Sequence, residues 1–599
     1  MALMLIKRYN SSTLTHCYGN MNFLNDLPHS NNKPINIGHV PTGAEGFVIS
    51  DIAKTSPNLM VVITPDLHQA QTLESELKGY LQGINIPVHR FNDWETLPYD
   101  HFSPHQDITS ERLYLLSLLP RMNKGIIIVA MSTLLSPVPP KTYIMAESLV
   151  IKTGDPFDLI KQRNQLEQAG YRAVTQVLER GEYATRGAII DIFPMGAKQP
   201  VRIELFDDEI DTIRIFDPET QCSNTTIQQF ILLPAKEFPL TDKAKQRFEE
   251  NWDQAFNYPG ASVFLSNVLK GHAPAGIEYY LPLFFETRET FFDYLPKETL
   301  ILSFAKTPKS IDHFWQTINE RYHQLHADIL RPILPPEDLF MTQDDFKTNL
   351  DQYTNLRIYP QILDKTSAPI NLPIKTLPPL SSDKINCLNE SALTDFLTTL
   401  TPGTRCIFCA QSPGKAEKLG ELLANIDLKP TLYSSFEVCI EQNDQFGLLV
   451  SPINHGFWLP NKMVLICESD LFTPLVKQKR PELTKNVHFE SVIKDLSSLK
   501  IGDAVVHLEH GVGRYLGIQT ITTADLKADY LTLEYLDHNK LYVPITSLNL
   551  ISRYSGVDNK TAPMHRLGKN TWSKAKDKAL KQIRDVAAEL LDIYSKRDK

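Results

Sequence analysis

The chain has no apolar run approaching the ~20 residues that a membrane-crossing helix needs. Met1 to Asn10 carries a short apolar stretch but lacks the apolar core and small-residue cleavage site of a secretory signal. Both absences point to a cytoplasmic protein with no membrane partner. Cysteine is scarce, with seven spread from Cys17 to Cys467 in 599 residues, which excludes a disulfide framework. Cys406-Ile-Phe-Cys409 has apolar neighbours and no second pair to complete a zinc site, so it reads as buried strand and no metal is expected. Basic residues are not in excess: 61 Lys and Arg against 70 Asp and Glu leave a net charge of −9, which argues against a wholly basic nucleic-acid binder. The phosphate-cradling pattern GxxxxGK[ST] is missing, as are internal repeats and low-complexity tracts.

What is present suffices for several cores, since single cores stop growing at roughly 250–300 residues. Asn58 to Pro65 and Gly125 to Ala130 read as buried strands, and a helix is expected from Asp66 to Leu81, giving an α/β lobe over 35–135. A further helix is expected with Asp155 as its cap and Pro156 at its first position. Phe157, Ile160, Leu166 and Ala169 fall on or near its apolar face, and Gly170 offers a stop. Short alternating strands from Glu182 to Pro218 predict a hairpin-rich insertion. Within it Asp207, Asp208, Glu209 and Asp211 form a solvated strand reversal rather than a nuclease metal site.

Mixed α/β character returns over 219–358, and five prolines mark 359–380 as a semi-rigid linker. A small α/β unit follows to about residue 472, with strands at Arg405–Ala410 and Met463–Cys467 and a helix at Lys415–Ile426. A polar connector, 473–499, leads to a β-rich stretch from Ile501 to Arg553 that turns at Asp537 to Lys540. Gly511, Gly513 and Gly517 suit bulges or tight bends there, and His507 and His510 read as barrel residues. The last segment, from Lys560, holds eleven Lys and Arg against five acids, and a helix from about Trp572 carries Ala579, Ile583, Val586, Leu590 and Ile593 as one apolar stripe.

The run Arg180-Gly-Glu-Tyr-Ala-Thr-Arg-Gly-Ala-Ile-Ile-Asp-Ile-Phe-Pro-Met-Gly196 is specific. With Arg202-Ile-Glu-Leu-Phe-Asp-Asp-Glu-Ile-Asp211 and Arg214-Ile-Phe-Asp217, it resembles the domain that the excision-repair helicase UvrB shares with bacterial transcription-repair coupling factors. Ile501-Gly-Asp-Ala-Val-Val-His-Leu-Glu-His-Gly-Val-Gly-Arg-Tyr-Leu-Gly517, with Lys540-Leu-Tyr-Val-Pro544, is similar to the coupling factors' RNA-polymerase-interacting module. That module is a Tudor/SH3-like barrel also found in CarD-type regulators and absent from UvrB. Asp93 to Asp107, Ala275 to Tyr280 and Leu465 to Leu471 also look like the coupling factors, so the resemblance covers nearly the whole chain.

The resemblance implies an α/β multidomain fold. A degenerate NTPase-like lobe of UvrB type (1–133 and 219–358) is interrupted by a UvrA-binding α+β insertion (134–218). The linker 359–380, the small domain 381–472, the connector 473–499, the barrel 500–556 and a basic linker helix (557–599) follow. It implies docking to UvrA through Arg172, Arg186 and Phe193, though Phe193 also fits a core role. It implies docking to the RNA polymerase β subunit around Gly517, Ile518 and Ile521, where strand addition is the expected mode and barrel core the competing reading for Ile521. Aligned on Thr42 and Gly43, the P-loop positions that need a lysine and a hydroxyl hold Gly46 and Phe47, and Glu45 adds an anion. No catalytic residue and no cofactor are expected here. ATP, Mg²⁺ and most contact with double-stranded DNA would belong to motor domains outside these residues. The competing readings are a self-contained UvrB-like ATPase and a CarD-type regulator.

Overall fold

The computed structural model describes residues 34–256, 262–328, 331–364, 369–381, 388–442, 444–472, 502–507, 510–523, 526–544, 551–553, 564 and 566. It is a mixed α/β protein in two compact units, divided near residue 474.

The larger unit is built on seven parallel strands in the order Ile370–Asn371, Ile35–Gly38, Thr354–Ile358, Leu300–Phe304, Leu59–Thr64, Gly125–Ala130, Val88–Phe91. Leu59–Thr64 and Gly125–Ala130 are buried at every position because both faces of the sheet are covered, which is why they read as unbroken apolar runs. Their alternate residues feed separate cores: Met60, Val62, Ile126 and Ile128 pack with Phe47 and Leu77, while Val61, Ile63, Ile127 and Val129 pack with Leu113 and Leu134. The expected helix is Leu67–Tyr80, with the Asp66 carboxylate accepting from the Gln69 N–H. The acidic, aromatic loop from Asp93 is largely packed chain: Trp94 and Tyr99 are buried, although Leu97 and Phe102 stay exposed.

The insertion hangs from an antiparallel pair, Leu149–Lys152 with Gln229–Leu232. Its six-stranded sheet runs Ser223–Ile227, Glu209–Phe216, Val201–Phe206, Ile189–Ile192, Glu182–Arg186, Arg172–Ala173. The sheet thus extends past Pro218, the boundary drawn from sequence. Ser223–Ile227 is a solvent-facing edge strand without apolar alternation, so nothing in its pattern announces it. The helix cap also differs from expectation. The Phe157 N–H donates to the Asp208 carbonyl, holding 155–158 against the hairpin, so the helix starts at Leu159. Asp158 caps it, accepting from the Ile160 and Lys161 N–H groups. Asp155 instead accepts from the Lys152 N–H, and Ile160 points to solvent at 75% exposure. Asp207, in the left-handed region at φ 53°, forms the expected reversal.

Residues 242–340 add an aromatic core around Trp252, Phe248, Tyr280 and Phe284. The proline-marked stretch is packed chain rather than an open spacer: Ile370–Asn371 pairs with Ile35–Gly38, and Leu372, Ile374 and Leu380 are buried. Beyond it lies a second sheet in the order Thr431–Tyr433, Phe446–Val450, Arg405–Ala410, Met463–Cys467, Phe457–Leu459, parallel except for the last strand. Cys406 and Cys409 enter cores on opposite faces of this sheet, so they cannot share one ion. Burial pushes the Cys406 thiol up to about 12.

The smaller unit is an antiparallel sheet in the order Lys540–Pro544, Leu526–Glu534, Gly511–Thr523, Ala504–His507, Ile551–Arg553. Gly517, at φ 112°, sits at the bulge in the long strand, where a side chain would be strained. The connector 473–499 and the basic terminal helix lie outside the described residues.

One buried ion pair ties the lobe to the chain leaving the insertion. Arg112 Nε donates to Glu237 Oε1 at 2.5 Å and Arg112 Nη1 to the Asn92 carbonyl at 2.7 Å, with the guanidinium over the Phe91 ring. Removing one member strands the other charge in the core, at a cost of about 3–5 kcal/mol. Arg112→Ala is expected to lower the midpoint of thermal unfolding well below that of the wild type, while Arg121→Ala on the nearby surface leaves it in place.

Candidate docking interfaces and the glycine-loop site

Between Ile35–Gly38 and the helix Glu45–Thr55 the chain turns through Pro41, Thr42 and Gly43, the arrangement of strand, glycine turn and helix N-terminus that cradles phosphate in nucleotide-binding folds. Here protein atoms crowd it. Gly43 lies at φ 97°, and a Cβ on it would sit 2.6 Å from the Cβ of His455. The Glu45 carboxylate folds back to accept from the Gly43 N–H at 2.6 Å, so a side chain takes one of the donors a phosphate would use. A Cβ on Gly46 would lie 3.0 Å from Glu76 Oε2 and 3.2 Å from the Tyr80 ring, leaving no room for a lysine.

Phe47, at the hydroxyl position, is buried against Phe457 (centroids 4.8 Å apart), Phe436 and Tyr80 (each 6.1 Å). Phe436 and Phe457 come from the 405–467 sheet unit, so the loop's filling joins two sheets into one core. The Lys54–Glu437 ion pair at 2.5 Å adds a polar tie. Phe47 was recognisable from sequence as a lost hydroxyl; the filler was not, because Phe436, His455 and Phe457 lie some 400 residues downstream in unremarkable segments.

The crowding raises two carboxyls. Burial, then the neighbouring Glu45 charge, pushes Glu76 up to about 7, against pull from the Asn454 N–H and His455. Burial also raises Glu45, opposed by its own N–H, the Gly43 N–H, His455 and Lys306.

On the insertion, Arg172 lies on the sheet's edge strand and Arg186 ends the next, both exposed. Arg172 Nη2 donates to Glu182, with Glu179 at 3.8 Å. Arg186 Nη2 donates to the Thr175 carbonyl at 2.7 Å. Phe193 is placed differently: it is buried with Val177, Ala184 and Phe216, and the Arg180 guanidinium lies 5.5 Å from its ring centroid. It supports the face from beneath. Sequence reading missed the organiser, Glu182. One of its oxygens accepts from the Leu178 and Glu179 N–H groups at 2.9 Å and the other from Arg172. Burial alone would raise this carboxyl, but those N–H groups and Arg172 together hold it below the usual carboxylate range. Leu178, 53% exposed, is thereby fixed beside the arginine.

In the smaller unit, the strand Gly511–Thr523 pairs with Ala504–His507 only over 511–514, and with Leu526–Glu534 over 514–523. Among the described residues its later half therefore carries a partner strand on one side, the edge expected from sequence. Ile518 is in register with Leu531 and Ile521 with Ala528; their side chains lie outside the described residues. The His507 and His510 ring centroids lie 4.7 Å apart, with the rings tilted by 30°. Among the described residues no group of three or more His, Cys, Asp or Glu could hold a metal ion, and no helix is long and apolar enough to cross a membrane.

Phe47→Ala removes the ring that joins the two sheets; it should destabilise the larger unit by about 3–5 kcal/mol and open the 359–400 stretch to limited proteolysis. The raised carboxyls set a pH dependence. Folded Glu76 keeps its proton to about 7 and the unfolded chain releases it near the ordinary 4.5, so this contribution is complete below 4.5 and is lost as pH rises to about 7. Glu278, also pushed up to about 7 chiefly by burial, acts in the same window. Unfolding monitored from pH 4.5 to 7.5 should show a shallower loss of stability for Glu76→Gln than for the wild type.

Residues 149–238 match the UvrB interaction domain, residues 396–471 the MFD D3 domain and residues 499–555 the CarD-like/TRCF RID domain. The transcription-repair-coupling factor of Haemophilus influenzae is 40% identical over 580 residues, covering 96% of this chain and 50% of that protein. That of Escherichia coli is 38% identical over 564 residues, covering 94% and 48%, and that of Staphylococcus epidermidis 27% identical over 580 residues, covering 93% and 48%. The chain spans about half the length of these curated relatives and is similar to transcription-repair-coupling factors over nearly its whole length.

Proposed function

We propose that this chain is a two-faced adaptor in transcription-coupled nucleotide excision repair, engaging RNA polymerase stalled at DNA lesions and recruiting UvrA. One observation carries the reading: a UvrB interaction domain and a CarD-like polymerase-interacting domain occur in a single chain that aligns along nearly its whole length with coupling factors.

The insertion's edge is the UvrA face. Arg172 and Arg186 supply planar cationic forks suited to paired hydrogen bonds with carboxylates. The second face is the later half of Gly511–Thr523, a Tudor/SH3-like barrel edge. Its unpaired backbone groups take an added strand from the polymerase β subunit, with Gly517, Ile518 and Ile521 setting the register. Charge governs the first face and main-chain geometry the second, so either can be lost while the other is kept. The crowded glycine loop holds no nucleotide. ATP-driven, Mg²⁺-dependent translocation on double-stranded DNA is a property of the whole coupling factors and is not assigned to these residues. The setting is the cytoplasm, where transcription and repair meet.

Pull-downs with purified UvrA and RNA polymerase test this. The wild type should retain both. Arg186→Ala should weaken UvrA capture by about tenfold, the effect of one charge-assisted contact, and keep polymerase; Ile521→Arg should do the reverse. DNA-stimulated ATP hydrolysis by this chain, or indifference to both partners, would contradict the proposal.

A further inference from the structure

The larger unit contains a crevice of about 800 Å³ that neither the glycine loop nor the docking faces use. Its position follows from topology. Leu59–Thr64 and Leu300–Phe304 are adjacent in the sheet, yet their chains leave in opposite directions: from Thr64 towards Val88–Phe91, from Phe304 towards Thr354–Ile358. Such a divergence opens a gap outside the carboxyl ends of the strands, where open α/β sheets bind ligands. Residues 65–68 and 306–317, the segments that follow these two strands, line the crevice.

Its chemistry is two-sided. Tyr279, Phe314 and Phe340, with the exposed Leu97, give it an apolar wall. Lys306 and Lys309, both exposed, line the other side at the start of the helix Thr307–Leu325. That helix spans 19 residues and begins without a side-chain cap; Pro308 in its first turn has no N–H, so the positive potential beside the lysines comes from the helix dipole and the Thr307 and Lys309 N–H groups. The two acids in the lining are already engaged. Asp93 accepts from the Ser132 and Thr133 hydroxyls at 3.1 and 2.8 Å, and Asp66 from the Gln69 N–H at 2.8 Å.

We propose that this crevice is a binding site for a nucleotide unit, with the base against the apolar wall and the phosphate at Lys306, Lys309 and the helix start. A flat apolar body joined to a phosphate matches a wall of rings and aliphatic carbons facing a cationic helix terminus, and the volume lies within the range for small-ligand sites. The same chemistry is presented by a free mononucleotide and by one residue of a single strand. The glycine loop, where the Glu45 carboxylate takes the Gly43 N–H, lines no part of the crevice.

The test titrates the full chain with N-methylanthraniloyl-labelled AMP and with a short labelled thymidine oligonucleotide, following fluorescence anisotropy. Saturable binding of either is expected, and the stronger probe identifies the source. Lys309→Glu should weaken it by about tenfold, the loss of a charge-assisted contact, and Ser310→Trp, which fills the crevice, should abolish it. Melting curves establish that both variants fold. No binding of either probe at millimolar concentration would overturn the proposal, as would binding indifferent to both variants. So would capture of an acidic peptide at this site by a chain that ignores both nucleotide probes.

Discussion

Phe47 inserted between Tyr80, Phe436 and Phe457 is the contact on which the larger unit depends. A phosphate cradle needs open space above a glycine turn, a cation and a hydroxyl. Here the space is occupied by His455, a side chain at the cation position would crowd Glu76 and Tyr80, and the hydroxyl position holds a ring. Burying that ring completely contributes about 1.5–3 kcal/mol by area alone. The contact also welds two α/β sheets into a shared core running from Ile37 to Cys467. The local shape of a nucleotide site survives because strand, turn and helix still pack, while its chemistry has been exchanged for cohesion.

The two proposed docking faces lie on elements outside that core. On the insertion, the buried Glu182 carboxylate gathers two N–H groups and a guanidinium, fixing Arg172 on the sheet's edge strand and Leu178 in the loop that follows it. An arginine held by a buried carboxylate loses less side-chain entropy on docking than one free in water. In the smaller unit, among the described residues, the later half of Gly511–Thr523 has a partner strand on one side, so the proposed docking there would use backbone groups. On the proposed reading the two faces follow different physics, side-chain charge on one and backbone pairing on the other.

Legibility in the sequence followed the reach of each interaction. Leu59–Thr64 and Gly125–Ala130 were readable because burial on both faces writes itself into consecutive residues. The Asp207 reversal and the Gly517 bulge were readable because backbone conformation selects residue type locally. The Asp158 cap was missed because the deciding bond, from the Phe157 N–H to the Asp208 carbonyl, spans some fifty residues. The proline-marked stretch was misread because Ile370–Asn371 is too short to show a period, and its partner strand lies at Ile35–Gly38. At the proposed UvrA face, Arg186 stood out within the Arg180–Gly196 motif and Arg172 only through the wider resemblance. Glu182, inside the same motif, looked like one more acid until its three donors were visible.

The account's central claim is simultaneous attachment: one chain, two independent faces, with no nucleotide required at the glycine loop. Sedimentation velocity on an equimolar mixture of this chain, UvrA and RNA polymerase, without ATP, measures it directly. A single boundary containing all three is predicted, heavier than either binary complex. If UvrA displaced polymerase from the chain, or if the three-component boundary formed only after nucleotide was added, the account would be contradicted.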